Sequence, residues 1–105
     1  MKDITIKGFE DTNNRTVLLC DEINSITAAT VKKDFINIIN KDLYTFNDNY
    51  TELCSLNKEI ANTYARTVEF PPIYFDINCP GGCVYDGLAI YDFIREISMK
   101  GKHNI

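Results

Sequence analysis

Apolar and polar residues alternate along parts of this chain in the way that is typical of strands. Ile4 and Ile6 alternate with polar neighbours and predict a short strand near the start. Residues 15–20 form a brief apolar run of the buried-strand kind. Residues 73–77 place apolar side chains at every second position and predict a further strand, which ends just before a Pro-Gly-Gly tripeptide.

Three helices are predicted around these strands. The first has Thr27 as its N-cap, and its apolar residues recur at intervals of three and four: Ala28, Val31, Phe35 and Ile38. The second covers 47–66 and is opened by the polar cluster 47–49. The third runs from Val84 to about Met99 and is apolar over most of its circumference. We therefore expect it to be buried within a larger assembly.

The order strand, helix, strand, helix predicts an α/β fold with parallel strands. A length of 105 residues allows one domain at most, and a composition of 45% hydrophobic and 25% charged residues is ordinary for a globular protein. The net charge is −4 and the sequence contains no run of basic residues, which argues against nucleic acid as a partner. No apolar stretch is long enough to span a membrane and no signal peptide is visible, so we predict a cytoplasmic protein without a membrane partner.

The four cysteines are interpreted as free thiols. Cys79 and Cys83 are separated by three residues, whereas common zinc knuckles separate their cysteines by two, and the single histidine, His103, lies in a polar tail. The sequence therefore implies neither a metal nor another cofactor.

The tripeptide Pro80-Gly81-Gly82 joins the strand at 73–77 to the last helix. Such a tripeptide has two interpretations. It is either a tight connection and nothing more, or a site whose backbone N–H groups face open space beside a helix N-terminus. Glycine suits the second role because it has no Cβ to crowd a carbonyl substrate and adopts positive φ values. An oxyanion site of this kind indicates acyl-transfer chemistry.

The segment from Pro72 to Ile97 resembles the Clp protease proteolytic subunit family. The residues that carry the resemblance are the strand and turn Ile77-Asn78-Cys79-Pro80-Gly81-Gly82 and the helix start Gly87-Leu88-Ala89-Ile90-Tyr91-Asp92. Residues 15–23 look like the first strand of that family. The residue types at 84–87 and an inserted helix over 47–66 are more similar to its phage and mobile-element branch.

The resemblance implies a serine endopeptidase with a Ser-His-Asp triad on a ClpP/crotonase-like spiral of β-α units. It also implies a homo-oligomeric ring that receives unfolded polypeptide from an AAA+ unfoldase, a Clp ATPase. Within this family the second glycine of the pair supplies an oxyanion N–H. The resemblance thus gives Gly82 that role, with Gly81 shaping the turn.

The chain departs from the family pattern at the nucleophile. The family's serine follows the next strand, and its histidine and aspartate come later still. We therefore expect residues 1–105 to be a single partial domain, the N-terminal half of a ClpP-like domain, inactive alone because the triad lies beyond it. Ser98 falls within a helix and is not the nucleophile, and His103 precedes the nucleophile region and is not the base. Cys79 replaces a serine that shapes the turn.

Two alternatives remain open at this point. One is a catalytically inactive ClpP-like subunit that co-assembles with an active protease ring. The other is a crotonase-fold enzyme that uses the same N–H groups to stabilise a thioester enolate. The continuation Ile90-Tyr91-Asp92 favours the Clp type over the crotonase type.

Overall fold

The computed structural model describes residues 7–100, 103 and 105, so the strand predicted at Ile4 and Ile6 lies outside the described residues. After a 3-10 turn at Thr12–Arg15 the elements follow in the order β1 (Thr16–Leu19), α1 (Ser25–Leu56), α2 (Lys58–Thr67), β2 (Tyr74–Ile77) and α3 (Val84–Lys100). The predicted α/β class is confirmed as a mixture of helices with two parallel strands.

The two strands pair in parallel, with Thr16 opposite Tyr74 and Leu19 opposite Ile77. One face of this sheet is covered by helices. The core on that side contains buried residues of β1, of the segment just before β2, of α1 and of α3: Val17, Leu19, Ala28, Val31, Phe35, Ile38, Ile73 and Ile90. Phe35 stands at its centre, with ring centroids 5.4 Å from Phe75 and 6.3 Å from Phe93. The opposite face carries exposed Leu18 and Tyr74.

Helix α1 begins three residues earlier than predicted, and its N-cap is Asn24 instead of Thr27. The Asn24 side chain accepts hydrogen bonds from the N–H groups of Ile26 and Thr27, both at 2.9 Å. In return the Asn24 N–H donates to the Thr27 hydroxyl at 2.8 Å. This reciprocal capping box satisfies helix N–H groups and gives Thr27 the third helical position.

The helix predicted to open at 47–49 does not begin there, because α1 continues through this cluster to Leu56. Asn49 is buried, and its side-chain amide donates to the Lys7 carbonyl and to the Tyr64 hydroxyl while accepting from the Lys7 N–H. These tertiary partners satisfy Asn49 in a helix interior. The actual break is at Asn57, which caps α2 by accepting from the N–H groups of Glu59 and Ile60.

The third predicted helix is confirmed as α3, but only one of its faces is buried within the chain. Ile90 is buried on that face, and Phe93, Ile94 and Ile97 pack against the core. Val84, Leu88, Tyr91 and Met99 are exposed on the other side. Among the described residues no helix is both long and apolar enough to cross a membrane.

Replacement of Asn24 by alanine is expected to destabilise the chain by about 1 kcal/mol, because two N–H groups at the start of α1 lose their acceptor. The free energy of unfolding in urea measures this loss. Asn40→Ala, an exposed substitution within the same helix, is the control and should not destabilise. Equal destabilisation by both variants would contradict the capping role.

Candidate functional site

The Pro-Gly-Gly turn lies beyond the carboxyl ends of both strands. The Asn78 N–H donates to the Leu19 carbonyl at 2.8 Å, which continues the pairing one step past the strands. The turn follows directly and leads into α3 at Val84. Open parallel sheets bind their ligands at this edge, so Gly81 and Gly82 lie where a site is expected.

Backbone pairing with Ile23 holds the turn in place. The Ile23 N–H donates to the Gly81 carbonyl, and the Cys83 N–H donates to the Ile23 carbonyl, each at 2.8 Å. Together these bonds form an isolated parallel bridge between Ile23 and Gly82. A Cβ on Gly82 would overlap the Ile23 backbone. Close approach of two backbones therefore requires glycine at position 82.

Both glycines have positive φ, 115° at Gly81 and 145° at Gly82. L-residues with a side chain rarely adopt such values. In a parallel bridge one residue, here Ile23, makes both hydrogen bonds. The residue opposite it directs its own N–H and C=O away from that partner. Gly82 is that residue, and no hydrogen bond within the described part of the chain uses its N–H. The Gly82 N–H is thus a donor directed away from Ile23.

The charge around the turn has two opposing sources. Helix α3 begins at Val84, so its N-terminal partial positive charge lies beside Gly82. Asp86, half-buried in the first turn of that helix, brings a negative charge into the same region. Among the described residues, a hydrogen bond with Cys54 raises the pKa of Tyr50, and a hydrogen bond with Asp48 raises the pKa of Lys7. Both groups lie beside the C-terminal half of α1, away from the turn.

An open apolar hollow of about 250 Å³ adjoins the turn. Its lining comes from the sheet, from α3 and from the residue that holds the turn: Leu19, Ile23, Phe75, Ile77, Gly87, Ile90, Tyr91 and Ile94. Because its walls are almost entirely apolar, the hollow suits an apolar side chain and offers no chemistry of its own.

The four cysteines are free thiols, as predicted. Cys79 is half-buried and packs against the core, which fits a residue that shapes the turn, while Cys83 is exposed. Over residues 7–100, 103 and 105 no group of three or more histidine, cysteine, aspartate or glutamate side chains is placed to hold a metal ion.

His103, predicted to lie in a polar tail, is instead only 4% exposed and belongs to a buried charged cluster. Its Nε2 lies 2.7 Å from Asp42 Oδ2, and its ring stacks on Phe70 with centroids 4.4 Å apart. Asp42 also binds Arg15 through both guanidinium Nη atoms, at 2.6 and 2.8 Å. Arg15 donates further to the carbonyls of Pro71 and Pro72, so its charge is well satisfied.

One sequence signal pointed toward this cluster. The inner stripe of α1 recurs at intervals of three and four through Ile38 and then continues at Asp42. A carboxylate on a buried helical stripe requires a partner. The sequence does not say which one, because Arg15 and His103 lie 27 and 61 residues away.

The buried cluster and the glycine turn lie at opposite ends of the sheet. Arg15 directly precedes β1 and Pro72 precedes β2, whereas Gly82 follows β2. Four residues of strand separate the two ends by roughly 10 Å or more. His103 is therefore remote from the turn in this structure. Ser98 is exposed on α3, toward the end of the helix away from the turn.

The family resemblance rests on this part of the chain. Residues 60–103, somewhat less than half of the chain, match the family model for Clp protease. Over this segment the chain is similar to the Clp protease family. No curated protein and no solved structure matches the chain. The matched segment contains β2, both glycines of the turn and all of α3.

Replacement of Gly82 by alanine is expected to separate the turn from Ile23, because the new Cβ would overlap the Ile23 backbone and the residue would be held at positive φ. Hydrogen exchange should show the amides of Ile23 and Cys83 losing protection. Gly87→Ala is the matched control, since its Cβ would lie 3.8 Å from the Ile23 Cδ1 atom, an ordinary contact. Undiminished protection of both amides in Gly82→Ala would contradict this account of the turn.

Replacement of Asp42 by alanine is expected to cost about 3–5 kcal/mol of stability, because it leaves the buried Arg15 guanidinium without its carboxylate. Unfolding in urea measures the cost. Asp48→Ala, which removes the solvent-exposed ion pair with Lys7, is the control and should change stability little. A small effect at Asp42 would show that the cluster is not structurally important.

Proposed function

We propose that this chain supplies the oxyanion-binding turn of a ClpP-like serine endopeptidase, with Gly82 donating its N–H to the oxyanion and Gly81 shaping the turn. The single observation that carries the proposal is the outward Gly82 N–H, held by the Ile23 bridge at the start of α3. Its position within the segment that matches Clp protease supports the same assignment.

In the proposed reaction, a serine hydroxyl attacks the carbonyl carbon of the scissile peptide bond, and the carbonyl oxygen gains negative charge. The Gly82 N–H and the N-terminal end of α3 stabilise that oxygen in the transition state, where one such donor is worth roughly 3–4 kcal/mol. Glycine at position 82 allows the close approach to the Ile23 backbone that holds this donor in place. Because Asp86 reduces the positive potential of the helix end, the directed N–H makes the main contribution to stabilising the oxyanion.

The nucleophile, the histidine and the aspartate of the triad are proposed to lie outside the residues that form this turn. His103 is engaged with Asp42 at the far end of the sheet, and Ser98 is remote from the turn. The chain is then one partial domain, the N-terminal half of a ClpP/crotonase-like spiral of the phage-type branch, with residues 47–66 as an insertion. Alone, it should hydrolyse no peptide.

The wider setting proposed for the chain follows from its likeness to Clp protease. Members of that family form oligomeric rings that work with Clp ATPases, and we extend this arrangement to the present chain, in the cytoplasm and with unfolded polypeptide as substrate. The exposed apolar residues on α3 and on the outer face of the sheet support assembly of some kind.

A backbone substitution in an active enzyme tests the proposal most selectively. Residues 73–100 would replace the corresponding strand, turn and helix of an active Clp protease subunit, and the Gly82 amide N–H would then be exchanged for an ester oxygen. The exchange removes the donor without adding a side chain. The kcat for a fluorogenic peptide should fall roughly 100- to 1000-fold while KM changes little.

The control in the same chimera is Gly87→Ala, which should keep kcat within about twofold, because its Cβ makes only an ordinary contact. An ester variant that assembles and retains the full kcat would refute the role of Gly82. A chimera that assembles but is inactive even with the intact amide would favour the alternative of a non-catalytic subunit.

A further inference from the structure

The two peptide units that hold the glycine turn are themselves bound on their other side. One unit joins Glu22 to Ile23, the other joins Ile23 to Asn24, and both are trans. Towards the turn, the first unit donates the Ile23 N–H to the Gly81 carbonyl, and the second accepts the Cys83 N–H at the Ile23 carbonyl. A trans peptide unit is planar and directs its N–H and C=O in opposite directions, so each unit also has a polar group that faces away from the turn.

A single hydroxyl, that of Thr27, binds both of these outer groups. Its oxygen Oγ1 accepts from the Asn24 N–H at 2.8 Å and donates to the Glu22 carbonyl at 2.9 Å. The other acceptors near this hydroxyl are further away, the Asn24 carbonyl at 3.1 Å and Asn24 Oδ1 at 3.4 Å. A hydroxyl suits this double role because it donates one hydrogen and accepts through its lone pairs. Thr27 therefore bridges the two peptide units on either side of the Ile23 Cα atom.

We infer that Thr27 is a positioning residue for the glycine turn. Its hydroxyl fixes the planes of two peptide units, and the opposite sides of those units fix the backbone before and after Gly82. A rotation of either unit would redirect the Ile23 N–H or carbonyl, and the Gly82 N–H would turn with it. The hydroxyl contacts only residues 22–24, so it acts on the turn through Ile23. Its consequence for catalysis rests on the proposed function of Gly82, whereas its effect on the geometry of the turn does not.

This role is distinct from the capping of α1. The first N–H groups of the helix are satisfied by the Asn24 side chain, which accepts from Ile26 and Thr27. The Thr27 hydroxyl instead binds backbone groups that precede the helix. Removal of the Asn24 side chain leaves those backbone groups in place, so the two roles can be tested separately.

Hydrogen exchange of the complete chain tests the inference. Thr27→Val removes the hydroxyl and keeps the shape of the side chain, so the Ile23 and Cys83 amides should exchange about tenfold faster than in the unchanged chain. The Asn78 amide, which is bonded to the Leu19 carbonyl, is the internal reference. A loss of global stability would accelerate all three amides, whereas release of the turn accelerates only the first two.

Two further variants separate the hydroxyl from the helix cap. Thr27→Ser keeps the hydroxyl and should keep the protection of both turn amides. Asn24→Ala removes the cap, so it should lower global stability without accelerating the turn amides relative to Asn78. Because Glu22 and Asn24 are exposed, water solvates the groups that Thr27→Val leaves unpaired, and that variant should fold. Unchanged exchange of the turn amides relative to Asn78 in Thr27→Val would overturn the inference.

The effect on catalysis is measured in an active Clp protease subunit in which residues 15–100 replace the corresponding segment. Thr27→Val should lower kcat for a fluorogenic peptide about tenfold and keep KM within about twofold, and Thr27→Ser should keep the full kcat. Faster exchange of the turn amides with an unchanged kcat would support the positioning role and would count against Gly82 as the oxyanion donor.

Discussion

The backbone bridge between Ile23 and Gly82 is the constraint on which the arrangement of the site depends. It joins the segment that leads into α1 to the turn that leads into α3, so the starts of the two helices are fixed relative to each other. The bridge also determines both the residue type at position 82 and the direction of its N–H group. The closeness of the two backbones excludes a Cβ, and the pairing of Ile23 with Gly81 and Cys83 leaves the Gly82 N–H directed outward.

A different interaction organises the other end of the sheet. There the Arg15–Asp42 pair, extended by His103, links the residue before β1 to the middle of α1 and to the carbonyls of Pro71 and Pro72. One end of the sheet is therefore held by a saturated group of buried charges, and the other by backbone alone. This division keeps the buried charged cluster away from the glycine end, where the site is proposed to act through an N–H group.

Much of the fold could be predicted from the sequence, because the strands and α3 depend on local alternation and on Pro-Gly-Gly. The start of α1 could not, since Asn24 and Thr27 are both good capping residues and only the capping box decides between them. The break at Asn57 was missed because the amide of Asn49 is satisfied by Lys7 and Tyr64, which are distant in sequence.

The candidate site shows the same limit. Gly81 and Gly82 were identifiable from residue type, because few residues other than glycine tolerate such a turn. The burial of His103 was not identifiable, because it depends on Asp42, 61 residues away, and on stacking against Phe70. The role of Ile23 was likewise hidden, since it acts through its backbone and any residue type has one.

The central claim is that the Gly82 N–H contacts the oxyanion of an acyl-transfer reaction. The most direct measurement is a crystal structure of an active ClpP-like subunit that contains this turn, after a fluorophosphonate has reacted with its serine. The claim predicts a phosphoryl oxygen about 2.7–3.1 Å from the Gly82 nitrogen. A phosphoryl oxygen bound by other donors, with Gly82 facing solvent, would contradict it.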